Sequence, residues 1–178
     1  MRSKTLGILA LSAGVLSLLH APEALADDSS VVIGLDGDLG IAPDGEDFSG
    51  GGGGALRLGI EKEVLAILYF RPELAAHYHQ FSGERAPDLW RGIGGLRLGL
   101  DFLLRVGAFA HAGYAWFDSP VADESRKAFT YDVGAELGLG LLPLLNLGIH
   151  YAYVNIGSGD AERPVDFSLF GVHVELAF

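Results

Sequence analysis

From residue 31 to the end, the segments between turn signals place apolar residues or glycine at every second position, with glycine, polar or charged residues between them. In 129–139 the odd positions are all apolar, whereas the even positions are Thr, Asp, Gly, Glu and Gly. Successive side chains of a β-strand point to opposite faces, so each such segment has one apolar face and one face of small or charged residues. The pattern therefore predicts strands rather than helices.

Turn signals divide this pattern into eight predicted strands, at 31–42, 55–61, 65–81, 89–100, 104–117, 128–140, 146–156 and 166–178. The third strand is interrupted by Arg71-Pro72-Glu73, so a turn at that point is an alternative, because proline cannot donate to a strand ladder. An even number of antiparallel strands can close into a barrel that has no exposed edge. We predict an all-β fold, an eight-stranded antiparallel up-and-down transmembrane β-barrel.

The connections between the predicted strands alternate in length. Longer polar loops are expected at 43–54, 82–88, 118–127 and 157–165, and tight turns near 61–64, 101–103 and 141–145. Long loops at one end and short turns at the other are typical of outer-membrane barrels. The segment 56–60 recurs at 96–100, and the repeating unit is a hairpin, because a propeller blade of this period would need four strands.

The N-terminus has the layout of a secretory signal peptide. Arg2 and Lys4 precede an uncharged run at 5–19, and Ala24-Leu25-Ala26 forms a small-x-small cleavage site before two aspartates. The run is shorter than the ~20 residues that a spanning helix needs, which favours cleavage over a retained anchor. We predict a signal peptide at 1–26, export, and a barrel domain at 27–178.

Composition excludes several classes of protein. The chain has no Cys, which excludes disulfide scaffolds, thiolate metal sites and thiol catalysis. Its net charge of −11 argues against a nucleic-acid partner, because neutralising phosphates requires a basic patch. A hydrophobic content of 49% is too high for a disordered chain.

The apolar faces are too continuous for the core of a small soluble barrel, and in a membrane barrel such faces point outward. Aromatic residues near strand ends, including Trp90, Trp116 and Phe129, resemble the girdles at membrane interfaces. Glycines concentrate on the opposite face, where a narrow lumen needs small residues. We therefore predict that the charged face lines the lumen, with the residues Asp36, Asp38, Arg57, Glu61, Arg91, Arg97, Asp101, Arg105, Asp132, Glu136 and Glu175.

The chain stops on Phe178, after Val172, Val174 and Leu176 on the same face. This ending resembles the C-terminal insertion signal of bacterial outer-membrane barrels, and 27–178 as a whole resembles the small eight-stranded OmpA-like and OmpX-like barrel superfamily. The resemblance implies a cell outer membrane location, contact with outer-membrane lipid and lipopolysaccharide, and insertion by the barrel-assembly machinery. It implies no defined activity. We expect a monomer.

The predicted lumen favours a closed structure. Eight strands enclose a space that side chains just fill, and buried charges must be paired to be tolerated. We expect Arg57, Arg97 and Arg105 to face Asp36, Asp38, Asp132 and Glu136 and form a plug. We expect the protein to have a structural or envelope-interaction role. The alternatives are a narrow pore or small-molecule-binding barrel and, less favoured, a lipid-modifying enzyme.

Five histidines fall on the predicted lumen face: His77, His79, His111, His150 and His173. His77 and His79 lie on one face two residues apart, which makes a shared metal feasible. However, the histidines lie at unequal positions along their strands, and a shared site needs its ligands at one level. We therefore expect imidazoles that hydrogen-bond to lumen carboxylates, with no metal and no cofactor.

Enzymes occur in this fold, among them lipid A deacylases that place a serine two residues after a histidine on a strand. No His-x-Ser sequence occurs in the chain, and Ser168 in the last strand has no identifiable partner. We therefore predict no enzymatic activity, and a triad assembled from distant strands is the alternative.

Overall fold

The computed structural model describes residues 29–42, 50–64, 67–83, 88–118, 125–142, 144–157 and 165–178. Its strands are β1 Ser29–Ile41, β2 Gly51–Glu63, β3 Leu68–Phe81, β4 Asp88–Asp101, β5 Arg105–Asp118, β6 Ser125–Leu142, β7 Leu145–Ile156 and β8 Val165–Ala177. Each strand pairs antiparallel with its neighbour and β8 pairs with β1, so the sheet is a closed barrel. The predicted fold class is confirmed. The signal-peptide prediction falls outside the described residues.

The two ends of the barrel differ. We call the end at which β1 finishes and β2 begins the loop end, and the end that holds Ser29 and Phe178 the turn end. The last residue closes the barrel, because the Phe178 N–H donates to the Val31 carbonyl at 2.9 Å and the Val31 N–H donates back at 3.0 Å. Among the described residues, no helix is long and apolar enough to cross a membrane.

The strands are staggered around the barrel. A path that steps from each residue to its partner on the next strand starts at Ser29 of β1 and returns to β1 at Leu39, ten residues further along. The path runs through Ser29, Lys62, Phe70, Leu98, Ala108, Ala135, Tyr151, Phe170 and Leu39. A stagger of this kind requires the strands to tilt against the barrel axis. Residues at different positions along their strands can therefore meet in the lumen.

The third strand is continuous, so the alternative of a turn at 71–73 is wrong. Pro72 faces outward opposite Leu96 of β4. On the β2 side, pairing stops after Gly59 with Glu73 and resumes at Lys62 with Phe70, because proline has no N–H to donate to that ladder. The proline therefore interrupts the pairing of β3 with β2 over a short stretch, while the side chains of β3 continue to alternate between the lumen and the outside.

The glycine run at 50–54, which we placed in a loop, is largely the beginning of β2. Gly51 and Gly53 face inward, where an added Cβ would lie 2.7 Å from the Cα of Phe81 or collide with the ring of His79. Glycine is needed here because β3 passes very close, not because the chain turns. The sixth strand also begins earlier than expected, at Ser125 rather than near residue 128.

The outer surface is apolar along the described strands. Large hydrophobic side chains alternate outward on every strand, and Leu74 in the middle of β3 is 65% exposed. Aromatic residues gather on the outside near the loop end, where Tyr78 packs on Trp90 with ring centroids 4.7 Å apart. The Lys127 ammonium lies 4.1 Å from the centre of the Tyr114 ring in the same band. The barrel is thus apolar outside and charged inside, the inverse of a soluble barrel.

Candidate functional site

The lumen is the candidate site, and from the turn end its first zone is an open cavity of about 350 Å³. The lining includes Glu61 and Glu63 of β2, Asp101 of β4 and Arg105 of β5. The cavity ends at Glu175, where a buried set of charged side chains crosses the barrel. We call this set the Arg–Glu network, and it comprises Asp36, Arg57, Glu61, Arg71, Glu73, Arg97, Arg105, Glu136 and Glu175.

Glu175 of β8 joins two arginines, Arg57 of β2 and Arg71 of β3. The Arg57 Nη1 atom donates to its Oε1 at 2.7 Å, and Arg71 donates from Nη1 and Nη2 at 3.1 and 2.8 Å. The remaining edge of Arg57 is occupied by Asp36, whose oxygens accept from Nε and Nη2 at 2.8 Å each. Bidentate pairs of this type are the stronger form of ion pair and fix the orientation of both groups.

Glu73 is the centre of the network, and it carries contacts to β2, β4 and β5. The Arg97 Nη2 atom donates to its Oε1 at 2.8 Å, and Arg57 and Arg71 approach its other oxygen at 3.6 and 3.2 Å. Its side chain is 1% exposed. Sequence analysis missed Glu73 and Arg71 because the intervening proline suggested a turn, although period two alone places both on the lumen face.

Tyr69 seals the network toward the turn end. Its hydroxyl donates to Glu136 at 2.7 Å, and the Arg105 guanidinium lies 3.9 Å from the centre of its ring. Arg105 also pairs closely with Glu61, and Arg97 with Glu136. Gly99 makes room for the tyrosine, because a Cβ at that position would lie 2.5 Å from Tyr69 ring atoms.

We predict that Gly99→Ala lowers the free energy of unfolding by about 1–3 kcal/mol, because the methyl group overpacks the lumen and displaces Tyr69. Urea unfolding in lipid vesicles measures this change. The control is Gly140→Ala, since a Cβ at Gly140 meets nothing within 4 Å. Equal stability of the two variants would contradict the close packing of Tyr69.

A second charged group lies toward the loop end and shares Glu73 with the network. Arg91 pairs closely with Asp132, and His111 stands between two carboxylates. Its Nδ1 atom lies 2.7 Å from Asp132 and its Nε2 atom 2.8 Å from Glu73. An imidazole can donate from both nitrogens only when it is protonated, so His111 has the surroundings of an imidazolium.

Asp38 of β1 has a different set of neighbours. His150 Nε2 lies 2.9 Å from its Oδ1 atom, and His79 Nε2 and His77 Nδ1 lie 3.5 and 4.0 Å from Oδ2. We call these four residues the Asp38–His cluster. The ring of His173 stacks on His150 with centroids 5.8 Å apart, at the side of the cluster.

The loop end of the lumen is closed by apolar side chains, which we call the apolar plug: Phe81, Leu89, Phe109, Ala115, Ala128, Ala152, Val154, Ile156, Phe167 and Leu169. The rings of Phe81 and Phe167 meet edge to face, with centroids 5.2 Å apart. Sequence analysis placed the apolar residues mainly outside the barrel and missed this zone. The inward residues of β7 and β8 near the loop end, such as Val154 and Phe167, carry the signal that could have revealed it.

Comparisons with known proteins identify the architecture. No family model and no curated protein matches the chain. Among solved structures, Neisserial surface protein A superposes with a TM-score of 0.62 at 15% identity, over 85% of this chain and 100% of that one. Ail, the attachment invasion locus protein of Yersinia pestis, superposes with a TM-score of 0.54 at 18% identity, over 84% and 97% of the two chains.

The chain has the fold of the small eight-stranded outer-membrane β-barrels. This agrees with the resemblance inferred from the sequence, and at this level of identity the likeness establishes the fold alone. In that barrel fold the outward alternation of Val172, Val174, Leu176 and Phe178 places all four side chains on the outer face. Their role as an insertion signal stays a prediction.

The barrel brings most of the predicted lumen residues together, with partners that differ from those expected. Arg57 pairs with Asp36, and Arg97 with Glu136, as anticipated. Arg105 instead meets Glu61 and, at 3.7 Å, Glu175. Asp132 is held by Arg91 and His111.

Two further predictions need correction. Asp101 is exposed at the last residue of β4, on the rim of the barrel, and so lies outside the buried network. The histidines were expected to hydrogen-bond to carboxylates. His111 does so, whereas neither ring nitrogen of His77, His79 or His173 has a hydrogen-bond partner among the described residues.

Ser168 lies on the outer face of β8, where its hydroxyl is 3.2 Å from the Tyr151 hydroxyl. The barrel wall separates it from the lumen histidines. The geometry therefore offers Ser168 no histidine of the lumen as a base.

Proposed function

We propose that the protein is an outer-membrane β-barrel with a closed lumen, and that it has a structural or envelope-interaction role. The observation that carries this proposal is the Arg–Glu network, which spans the lumen from β1 and β2 to β5 and β8. Its charges are paired with one another. Such a network fixes the register and shape of the barrel and obstructs a water-filled path.

The voids of the lumen support closure. The cavity of about 350 Å³ opens at the turn end and reaches only as far as Glu175. Beyond the network, the central void has a volume of about 20 Å³, which suffices for one small molecule or ion such as water. Toward the loop end, the buried side chains of the apolar plug pack together inside the barrel.

The outer surface supports a membrane location. The apolar outside would contact outer-membrane lipid and lipopolysaccharide, and the aromatic band near the loop end suits a membrane interface. Insertion by the barrel-assembly machinery and a monomeric state belong to the same proposal. With the lumen closed, any contact with a partner outside the membrane falls to the loops.

The composition of the loops bears on the kind of partner. One structure of Ail, which superposes with a TM-score of 0.51 at 18% identity, is a complex with the heparin analogue sucrose octasulfate. In this chain, acidic residues outnumber basic ones in 43–49, 119–124 and 158–164. A polyanion would be repelled by such loops, so the proposed role does not include binding of sulfated sugars.

We predict that the purified barrel, reconstituted in a planar bilayer, produces no discrete channel openings. The physical reason is that ions would have to cross paired charges and then an apolar plug. Current recordings test this, with a large porin in the same detergent as the positive control. Reproducible unitary steps that scale with protein concentration would contradict the closed lumen and favour a narrow pore.

A further inference from the structure

We propose that the Asp38–His cluster binds one divalent transition-metal ion inside the barrel. Asp38, His79 and His150 supply the first three ligands, and His77 the fourth. The chemistry suits zinc, copper or nickel, because imidazole nitrogens with one carboxylate oxygen are a typical donor set for these ions. We commit to zinc, which accepts a tetrahedral arrangement of such ligands. The inference depends on the lumen alone and stands whether or not the loops bind a partner.

Charge balance distinguishes Asp38 from the other lumen carboxylates. Asp36, Glu61, Glu73, Asp132, Glu136 and Glu175 each have an arginine within ion-pair distance. Asp38 has imidazoles alone among its described ion-pair partners, and its side chain is completely buried. A buried carboxylate needs a positive charge beside it. A metal ion bound by Asp38 would supply that charge.

The register brings the ligands together. In one row of paired residues, His79 is opposite Gly53, which is opposite Asp38. On the other side of Asp38 the row continues through Gly171 to His150. We expected unequal positions along the strands to separate the histidines, but the stagger of the barrel places His79 and His150 on either side of one carboxylate. The argument from strand position against a shared site therefore fails.

The two glycines of this row make the space for the cluster. A Cβ at Gly53 would collide with the His79 ring, and a Cβ at Gly171 would collide with the Asp38 carboxylate and the His150 ring. The void of about 20 Å³ in the middle of the barrel is bordered by His77 and His150 but not by Asp38 or His79, and Arg57 and Arg97 also line it. The ion would therefore lie beside this void, among the ligand atoms themselves.

The ligand atoms gather around Asp38 without yet converging on one point. The carboxylate–imidazole distances in the cluster run from 2.9 to 4.0 Å, and the ligands of a tetrahedral zinc ion with bonds of about 2.0–2.2 Å stand about 3.3 Å apart. No three residues of the cluster, however, offer ligand atoms that all lie within 4.8 Å of one another. Binding therefore requires the His79 and His150 rings to turn toward a common point beside Asp38.

Unsatisfied polar atoms provide independent support. Neither ring nitrogen of His77 or His79 has a hydrogen-bond partner among the described residues, and these atoms are buried. The buried Asp38 oxygens also make no hydrogen bond of acceptable geometry there, although His150 Nε2 lies 2.9 Å from Oδ1. Buried polar atoms without partners are rare in native proteins and call for an explanation such as an ion. Coordination would use the lone pairs of three or four of these atoms at once.

Another group of possible ligands lies nearer the turn end. One atom each of Glu136, His173 and Glu175 lies within 4.8 Å of the others. Both glutamates are already held by arginines, and the positive charge of Arg57, Arg71 and Arg97 would repel a cation. The Asp38–His cluster is therefore the better site.

The test measures metal content in protein that carries no histidine tag. The full barrel is refolded with zinc, dialysed against a weak chelator and assayed by mass spectrometry, so that slow entry into a closed lumen does not matter. We expect about one zinc ion per wild-type barrel. Asp38→Asn and His79→Gln should reduce zinc to background. Cobalt refolded in place of zinc should give the visible absorption of a tetrahedral nitrogen and oxygen site.

Matched variants separate this site from its competitor and from a folding defect. His173→Gln and Gly140→Ala should retain the ion, whereas Gly171→Ala should lose it by filling the space beside Asp38. Folding of every variant is checked by its shifted gel mobility without boiling. Absence of zinc in the folded wild type would overturn the proposal. Loss of zinc in His173→Gln with retention in His79→Gln would also overturn it, by moving the ion to Glu136 and Glu175.

Discussion

Replacing Glu73 with glutamine lowers the free energy of unfolding of the barrel by about 3–5 kcal/mol, the cost of breaking a buried ion pair by removing one partner. Glu73 lies within 3.6 Å of Arg57, Arg71 and Arg97 and accepts from His111. Glutamine has almost the same shape but no charge. Three buried arginines would then share fewer carboxylates.

The measurement is urea unfolding in phosphatidylcholine vesicles, followed by tryptophan fluorescence and by gel mobility. The matched control is Glu63→Gln, an exposed residue at the end of β2, which should change the free energy by no more than about 0.5 kcal/mol. The double variant Glu73→Gln with Arg97→Gln should recover part of the loss, because it removes one unbalanced charge. Equal effects of Glu73→Gln and Glu63→Gln would contradict the central position of Glu73.

The fold was predictable because alternation is a local property. In each segment, such as 129–139, the alternation of residues shows which side chains face the lumen. An even number of such segments then allows the sheet to close into a barrel. The errors in strand boundaries arose at proline and glycine, because each of these residues occurs both in turns and within strands. Proline suggested a turn at Pro72 although it sits on the outward side of a continuous strand, and the glycine run suggested a loop although Gly51 and Gly53 admit a neighbouring strand.

The partners inside the lumen could not be predicted from the same pattern. Alternation shows that Asp38 and His150 face inward, but their contact depends on the stagger of all eight strands, which no single segment records. Arg57 meets Glu175 across Gly34 of β1, which requires the closing pair of β1 and β8, and His79 meets Asp38 across Gly53 of β2. Inward direction is thus a property of the local sequence, whereas pairing within the lumen is a property of the closed sheet.

Introducing arginine at Leu74 makes folding into a bilayer less favourable by about 2–4 kcal/mol, the cost of a cation on the lipid face near the membrane centre. Leu74 is in the middle of β3, points outward and is 65% exposed. In a soluble barrel, an exposed leucine can become arginine with a change of about 0.5 kcal/mol or less. The substitution therefore asks directly whether lipid or water surrounds the apolar outside.

The control for Leu74→Arg is Leu103→Arg. Leu103 is 94% exposed and lies in the turn at 102–104, where a membrane barrel leaves the hydrocarbon region and a new arginine costs only about 0–1 kcal/mol. Folding of both variants into vesicles is compared with wild type by urea titration. If the barrel spans a bilayer, the Leu74 variant should lose much more folding free energy than the Leu103 variant, because residue 74 lies deeper in the hydrocarbon region. Equal small losses would place the apolar surface in water and contradict the membrane assignment, while leaving the lumen and its metal site intact.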